Sequence, residues 1–343
     1  MGIKDILNKI KQKFERGFQR GMYRNLVFKG GGVRGIAYMG ALELLEELDV
    51  LKNIERVAGT SSGAIAATIV SFQKNASEMI EIFNTLDLQK VPQGAVDRKR
   101  KNIILLKNSE NYTRLFERFG WYSSAYFHGW LRSIIADQCR GNADATFSDF
   151  RKLGFRDLHV VVSNISRHRA EIFSARTTPD VSVADAVRMS MSIPLYFEAL
   201  RFDGKRMGSG DYYVDGGLFN NYPIHIFDQP EYAKESRLYR DGINFETLGL
   251  FLFPSKLYDA DNVDDPKHLW EYLDLIVRSL SDSRQISNLA ENVADKQRTI
   301  EISDCGISST QFDLSPDSKE YQQLFTEGRM AAEKFFGVEK AGM

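Results

Sequence analysis

Short apolar runs alternate with longer stretches of helical period through most of the chain. Asn25-Leu-Val-Phe28 is too short for a helix and stops one residue before three glycines, so it reads as a buried strand. Ile36, Met39, Leu42, Leu45 and Leu48 then recur every third residue, which predicts a helix over 36–48. The alternation continues, with strands expected at 54–58, 158–163, 170–173, 212–214, 248–253 and 298–302. Helices are expected at 64–72, 77–86, 182–189, 268–292 and 317–336. The repeated pairing of short strand and helix predicts an α/β fold, a mostly parallel sheet covered on both faces. Residues 112–141 break the repeat and read as an insertion. Within them Trp121, Tyr122, Tyr126, Phe127 and Trp130 suit either a core or an acyl pocket.

The first residues follow a different pattern. Ile3, Ile6, Leu7, Ile10, Phe14 and Phe18 recur at helical spacing, and most of the polar positions between them are basic. This reads as a basic amphipathic helix over 1–22, ahead of one domain spanning 23–340. Such a helix can pack on the domain, lie on a membrane surface or join a homo-oligomer. Arg98-Lys-Arg-Lys101, just before Ile103-Ile-Leu-Leu106, offers a second candidate membrane contact or a charged loop leading into a buried element.

Composition narrows the function classes. The chain has 343 residues, a formal net charge of -1 and 27% charged residues, which gives no reason to expect nucleic-acid binding. Two cysteines, Cys139 and Cys305, make neither a disulfide scaffold nor a metal-ligand spacing. No run reaches the roughly 18 apolar residues of a membrane span. The N-terminus also lacks the apolar core of a signal peptide. A cytoplasmic protein, peripheral at most, is expected.

Candidate chemistry sits in three glycine-bearing motifs. Gly30-Gly-Gly-Val-Arg-Gly35 follows a strand and precedes a helix, where backbone N–H groups and the helix dipole favour an anion. It is compatible with a dinucleotide pyrophosphate, but Asp49 lies in a helix-to-loop region and not at the end of the next strand. Gly59-Thr-Ser-Ser-Gly63 has the Gly-x-Ser-x-Gly form of a strand-to-helix elbow that raises Ser61 as a nucleophile, with Ser62 in the first helical turn. An ordinary turn capping a helix has the same composition. Asp215-Gly-Gly217 closes a strand and opens a loop. Of five histidines, His225 and His268 come late enough for an α/β-hydrolase order, yet neither lies in a suitable loop; His128, His159 and His168 suit the part less.

Taken together and in this order, the three motifs resemble the patatin-like phospholipase family. Ala186 to Phe197, ending in Ser192-Ile-Pro-Leu-Tyr-Phe197, and Asn220-Asn-Tyr-Pro223 extend the likeness, whose core runs from 26 to 223. The resemblance implies a three-layer α/β/α fold and a serine lipid acyl hydrolase with a Ser–Asp dyad and no histidine. Ser61 would be the nucleophile, Asp215 the base, and Gly30, Gly31 and Gly32 the oxyanion donors. Arg34 would hold the glycine loop or meet a phosphate head group, while Gly35, Gly59, Gly63, Gly216 and Gly217 support the turns. No metal or cofactor is required; the expected partner is a phospholipid or lysophospholipid, with a homo-oligomer or an activator compatible. The chain departs from plant patatins at Lys29, where they carry an aspartate. A transacylase or neutral-lipid esterase would use the same dyad. A nucleotide-binding or interaction module would use the glycine loop alone.

Overall fold

The computed structural model describes residues 21–93, 104–255 and 291–338, together with 272, 275, 276, 279 and 289. Residues 1–20 of the expected N-terminal helix, the basic run 98–101, His268 and most of the expected helix 268–292 lie outside the described residues.

Eight strands form the main sheet: β1 (Asn25–Phe28), β2 (Arg56–Thr60), β3 (Asp157–Asn164), β4 (Arg169–Ser174), β5 (Leu200–Phe202), β6 (Asp211–Asp215), β7 (Thr247–Phe253) and β8 (Thr299–Ser303). Their order is β8-β7-β1-β2-β3-β6-β5, with β4 on the side of β3. The run from β8 to β3 is parallel throughout. β4, β6 and β5 pair antiparallel. The sheet is therefore mostly parallel, with an antiparallel end that the apolar pattern does not distinguish.

Period two sorts the strands between two cores. Leu26, Phe28, Val57, Leu248, Leu250 and Leu252 face the larger one, shared with α1 (Ile36–Glu47), α2 (Ser62–Ser71), α3 (Val183–Ser190) and α4 (Lys319–Phe336). Val27, Ala58 and Phe251 face the other, covered by Tyr222, Ile224, Phe227 and Leu289. Burying one such side chain stabilises by about 1.5–3 kcal/mol before the entropy of ordering it is counted.

One expectation changes. The strand expected at 54–58 runs over Arg56–Thr60, because pairing with β1 and β3 carries it two residues further, so Gly59 and Thr60 are strand residues. Residues 112–141, expected as an insertion, contribute no strand to the main sheet and still reach the core. Helix Ile104–Arg118, strand Gly120–Tyr122 and helix Ala125–Gln138 account for most of them, and Phe127, Leu131 and Ile135 of the last helix are core residues. Aromatic and aliphatic side chains at four-residue spacing form one buried face. Among the described residues, no helix is long and apolar enough to cross a membrane.

Candidate active site

The site forms where two strand ends meet head-on. β4 occupies one edge of β3 over residues 159–164. The other edge is shared: β2 pairs parallel with β3 as far as Thr60 opposite Val161, and β6 comes from the opposite direction as far as Asp215 opposite Val162. Neighbouring residues of β3 thus hold the last residue of each strand. Gly216 continues past the junction, and a Cβ there would lie 2.9 Å from Thr60 Cγ2 and 2.3 Å from Val161 O.

Ser61 is the elbow between β2 and α2. Its backbone has φ 55° and ψ -126°, a region that costs on the order of 1–3 kcal/mol for a non-glycine residue. Small neighbours make the turn possible: a Cβ at Gly59 would lie 2.0 Å from Gly63 O, and one at Gly63 would lie 2.5 Å from Phe28 O. A hydrogen bond from outside the turn holds it. Ser61 N–H donates to Ser190 Oγ at 2.8 Å, and Ser190 Oγ–H donates to Val161 O at 2.6 Å. Ser61 Oγ lies 3.6 Å from Met191 Sδ, and both residues are buried. The N-terminus of α2 begins at the next residue, which places the positive end of its dipole beside Oγ.

Ser190 and its neighbours were not singled out individually from the sequence, although the segment carrying them was. They join the two candidate residues: Ser192 O accepts from Asp215 N–H at 2.8 Å and Ser190 O accepts from Gly216 N–H at 3.3 Å. Arg188 anchors the turn through Ser124 Oγ at 2.9 Å and Glu198 at 3.0 Å. Burial lowers the Arg188 pKa, with Glu198 opposing. Asp215 is itself buried, and its Oδ1 accepts from Gly217 N–H at 2.7 Å.

The glycine loop closes over the elbow. A Cβ on Gly30 would lie 3.1 Å from Ser61 Cβ and 2.1 Å from Asn221 Oδ1. Gly30 N–H donates to Asn221 O at 2.9 Å, and Thr60 Oγ1–H donates to Asn220 O at 2.9 Å. The segment after Asp215-Gly-Gly217 is thereby sewn to both other motifs. Gly31 N–H donates to Ser62 Oγ at 2.9 Å. Of the three expected oxyanion donors, Gly32 N–H is the one that finds no partner among the described residues. Gly32 has φ 59° and packs on Ser309. Arg34 turns inward, donating to Gly31 O at 2.9 Å and to Asp304 Oδ2 at 2.8 Å. Asp304, which the sequence did not mark, also accepts from Ser255 and Gly306. Buried Lys29 sits below the loop with Nζ 5.1 Å from the Phe251 ring centroid.

The described histidines are engaged elsewhere. His225 lies between Asp228 at 2.8 Å and Asp295 at 3.1 Å. The Asp228 and Asp295 hydrogen bonds raise its pKa to about 9 against burial, so it is protonated at neutral pH and is no base. His159 bonds Tyr232 at 2.8 Å and is driven towards neutrality by burial. His128 pairs with Asp185, and His168 is exposed in a turn. β2 ends in Thr60, and Asp49 is an exposed partner of Lys52, so neither the end of that strand nor Asp49 offers the glycine loop an acid for a ribose among the described residues.

A family model described as Patatin-like phospholipase matches residues 26–228. Uncharacterized protein R571 of Acanthamoeba polyphaga mimivirus is 29% identical over 303 residues, covering 87% of this chain and 89% of that protein. A probable lipid hydrolase, 463L of Invertebrate iridescent virus 6, is 28% identical over 211 residues, 60% of this chain and 63% of that one. Among solved structures, VipD from Legionella pneumophila has a TM-score of 0.56 at 20% identity, covering 92% of this chain and 67% of that one, a likeness of fold.

Proposed function

The chain belongs to the patatin-like phospholipase family, and from that premise we propose that it hydrolyses fatty acyl esters of phospholipids or lysophospholipids through Ser61 and Asp215. The observation that supports the reading is the head-on meeting of β2 and β6 along β3: the strand ending just before the strained Ser61 and the strand ending in the buried Asp215 stop opposite neighbouring residues. The relative described as a probable lipid hydrolase supports the substrate class.

In this mechanism Ser61 Oγ attacks the ester carbonyl while its proton passes to Asp215. An ordinary aspartate, pKa about 3.9, is a weak base, and desolvation strengthens it. The tetrahedral oxyanion forms against the glycine loop, where Gly32 N–H is available and Gly31 N–H exchanges Ser62 Oγ for the developing charge. One such donor contributes on the order of 3 kcal/mol to lowering the barrier. Collapse expels the alcohol, which takes the proton from Asp215, and leaves an acyl-Ser61 ester. Water, deprotonated by Asp215, then releases the fatty acid and restores the serine.

The test is fatty-acid release and fluorophosphonate labelling for the parent protein, Ser61→Ala and Asp215→Asn. Loss of release by roughly 10³-fold or more in both variants, with unchanged circular dichroism, is expected. Turnover surviving in Asp215→Asn would remove that residue as the base. Labelling that survives in Ser61→Ala would remove the nucleophile.

A further inference from the structure

One apolar surface stays largely exposed although Tyr112 packs on Trp121 and Phe119 on Tyr212, and it borders the site. Tyr112, Phe116 and Phe119 stand at helical spacing across the end of helix Ile104–Arg118, and they are 52%, 76% and 46% exposed. Leu195, 39% exposed, joins them because Gly120 pairs with it across two short strands. Ala199 N–H donates to Arg118 O at 2.9 Å, which closes the same seam. Leu195 is three residues from Ser192, whose carbonyl holds Asp215 N–H. Phe219, 44% exposed, rides on the short turn that follows Asp215.

Two of these residues are strained as well as exposed. Phe119 has φ 58° and Leu195 φ 65°, left-handed values that bulky side chains rarely adopt. The strain persists because strand pairing and the Ala199 bond hold the backbone on either side. Apolar surface held out at a cost marks a place of contact.

The charges around the stripe are basic on balance. The Arg118 side chain is 67% exposed and touches Glu198, a carboxylate already shared with Arg188. The Arg201 guanidinium lies 5.3 Å from the Tyr212 ring, which is 5.7 Å from Phe119. Lys205 and Arg206 follow on an exposed turn, and Asp203 spends its carboxylate on their backbone N–H groups and Ser209. Asp211 is taken by Arg167. Over residues 111–118 of the helix the acid is Glu117.

We propose that Tyr112, Phe116, Phe119 and Leu195 form the surface by which the protein lies on a phospholipid bilayer carrying anionic lipid, with Arg118 and Arg201 at the phosphate level. Aromatic and leucine side chains enter the acyl boundary, and arginines beside them meet head groups. The proposal rests on the lipid-hydrolase reading and adds where the bilayer sits: on the seam next to Ser61 and Asp215, so that an ester reaches the serine without the lipid leaving for water.

The experiment separates the two claims. Binding is measured by co-sedimentation with vesicles of phosphatidylcholine, with and without phosphatidylglycerol, using full-length Ser61→Ala so that no lipid is consumed. Adding Tyr112→Ser and Phe116→Ser, both at exposed positions, weakens vesicle binding by roughly tenfold or more. In the Ser61 background the same pair cuts vesicle hydrolysis in parallel while turnover of a soluble short-chain ester is unchanged. Arg118→Gln removes roughly fivefold of binding, and only where phosphatidylglycerol is present. Unchanged vesicle binding overturns the proposal. So does an equal fall in soluble-ester turnover, or a parent dimer that the double variant dissolves, which would assign the stripe to a second copy. Failure of the hydrolase reading looks different: vesicle binding stays intact while neither labelling nor ester turnover is found.

Discussion

Two buried polar clusters flank the sheet, and they are built on opposite principles. Around Arg298, every partner is charged or fixed: Asp228 at 2.6 Å, Asp295 at 2.7 Å, Asn244 O at 3.0 Å, with His225 closing the ring. Burial works against ionisation of Asp228 and Asp295, yet hydrogen bonds from His225 and Arg298 leave both carboxyls below the usual range. Around Ser61 the partners are the Ser190 hydroxyl and the Met191 thioether, and the central backbone is strained. The first cluster contains histidine, aspartate and arginine, the residue types most often linked with catalysis, and its geometry closes on itself. The second is made largely of serine and glycine, and its geometry presents one hydroxyl. Burial with opposite charge holds a fold together; neutral hydrogen bonds from outside the turn hold the strained Ser61 backbone in place.

That contrast predicts different losses. Arg298→Met leaves two buried carboxylates without their cation and should cost about 3–5 kcal/mol of stability. Denaturant unfolding measures it, and soluble-ester turnover per folded molecule should hardly change. A large fall in turnover with little loss of stability would break the comparison from that side.

Ser190→Ala should do the reverse. It removes the acceptor of Ser61 N–H and the donor to Val161 O, which releases the elbow from its support. Loss of one such buried bond is worth about 1–3 kcal/mol, or roughly 5- to 150-fold if it appears in kcat. KM for a soluble ester should stay near the parent value, and Ser190→Thr, which retains the hydroxyl, should recover much of the rate. Equal effects of alanine and threonine would show that the hydroxyl does not position the serine.

The smallest effect concerns pH. Hydrogen bonds to Asp228 and Asp295 raise the His225 pKa from 6.5 to about 9. A raised folded-state pKa contributes stability that is complete below about pH 6.5 and disappears as pH rises through about 9. The parent should therefore lose more thermal stability between neutral pH and about pH 10 than His225→Gln does. The imidazole is more than half exposed, so the difference should be modest and shrink with salt. Parallel pH curves for the two proteins would remove His225 from the latch.

Much of this arrangement was legible in the sequence. Strands β1 and β7 and helix α1 fall within a residue or so of their expected bounds, because short apolar runs and three-residue periodicity reflect burial directly. Glycine and serine in Gly59-Thr-Ser-Ser-Gly63 and the Asp215-Gly-Gly217 turn marked the candidate residues for steric reasons that are local to each motif. Ser190, Asp304 and the exposed stripe were not legible. Ser190 is 129 residues from the serine it supports, and Asp304 is 270 from Arg34. No local pattern encodes which hydroxyl or carboxylate arrives at a given backbone group. The closeness of the β2 end, just before Ser61, to the β6 end at Asp215 also depends on both strands sharing one edge of β3, a matter of strand order and direction. The sequence by itself determined which segments are strands and helices and which turns need glycine, since those follow from side-chain size and periodicity. The tertiary structure alone decided which turns meet, which polar groups support them and which aromatics stay outside, because these are settled by contacts between segments far apart in the chain.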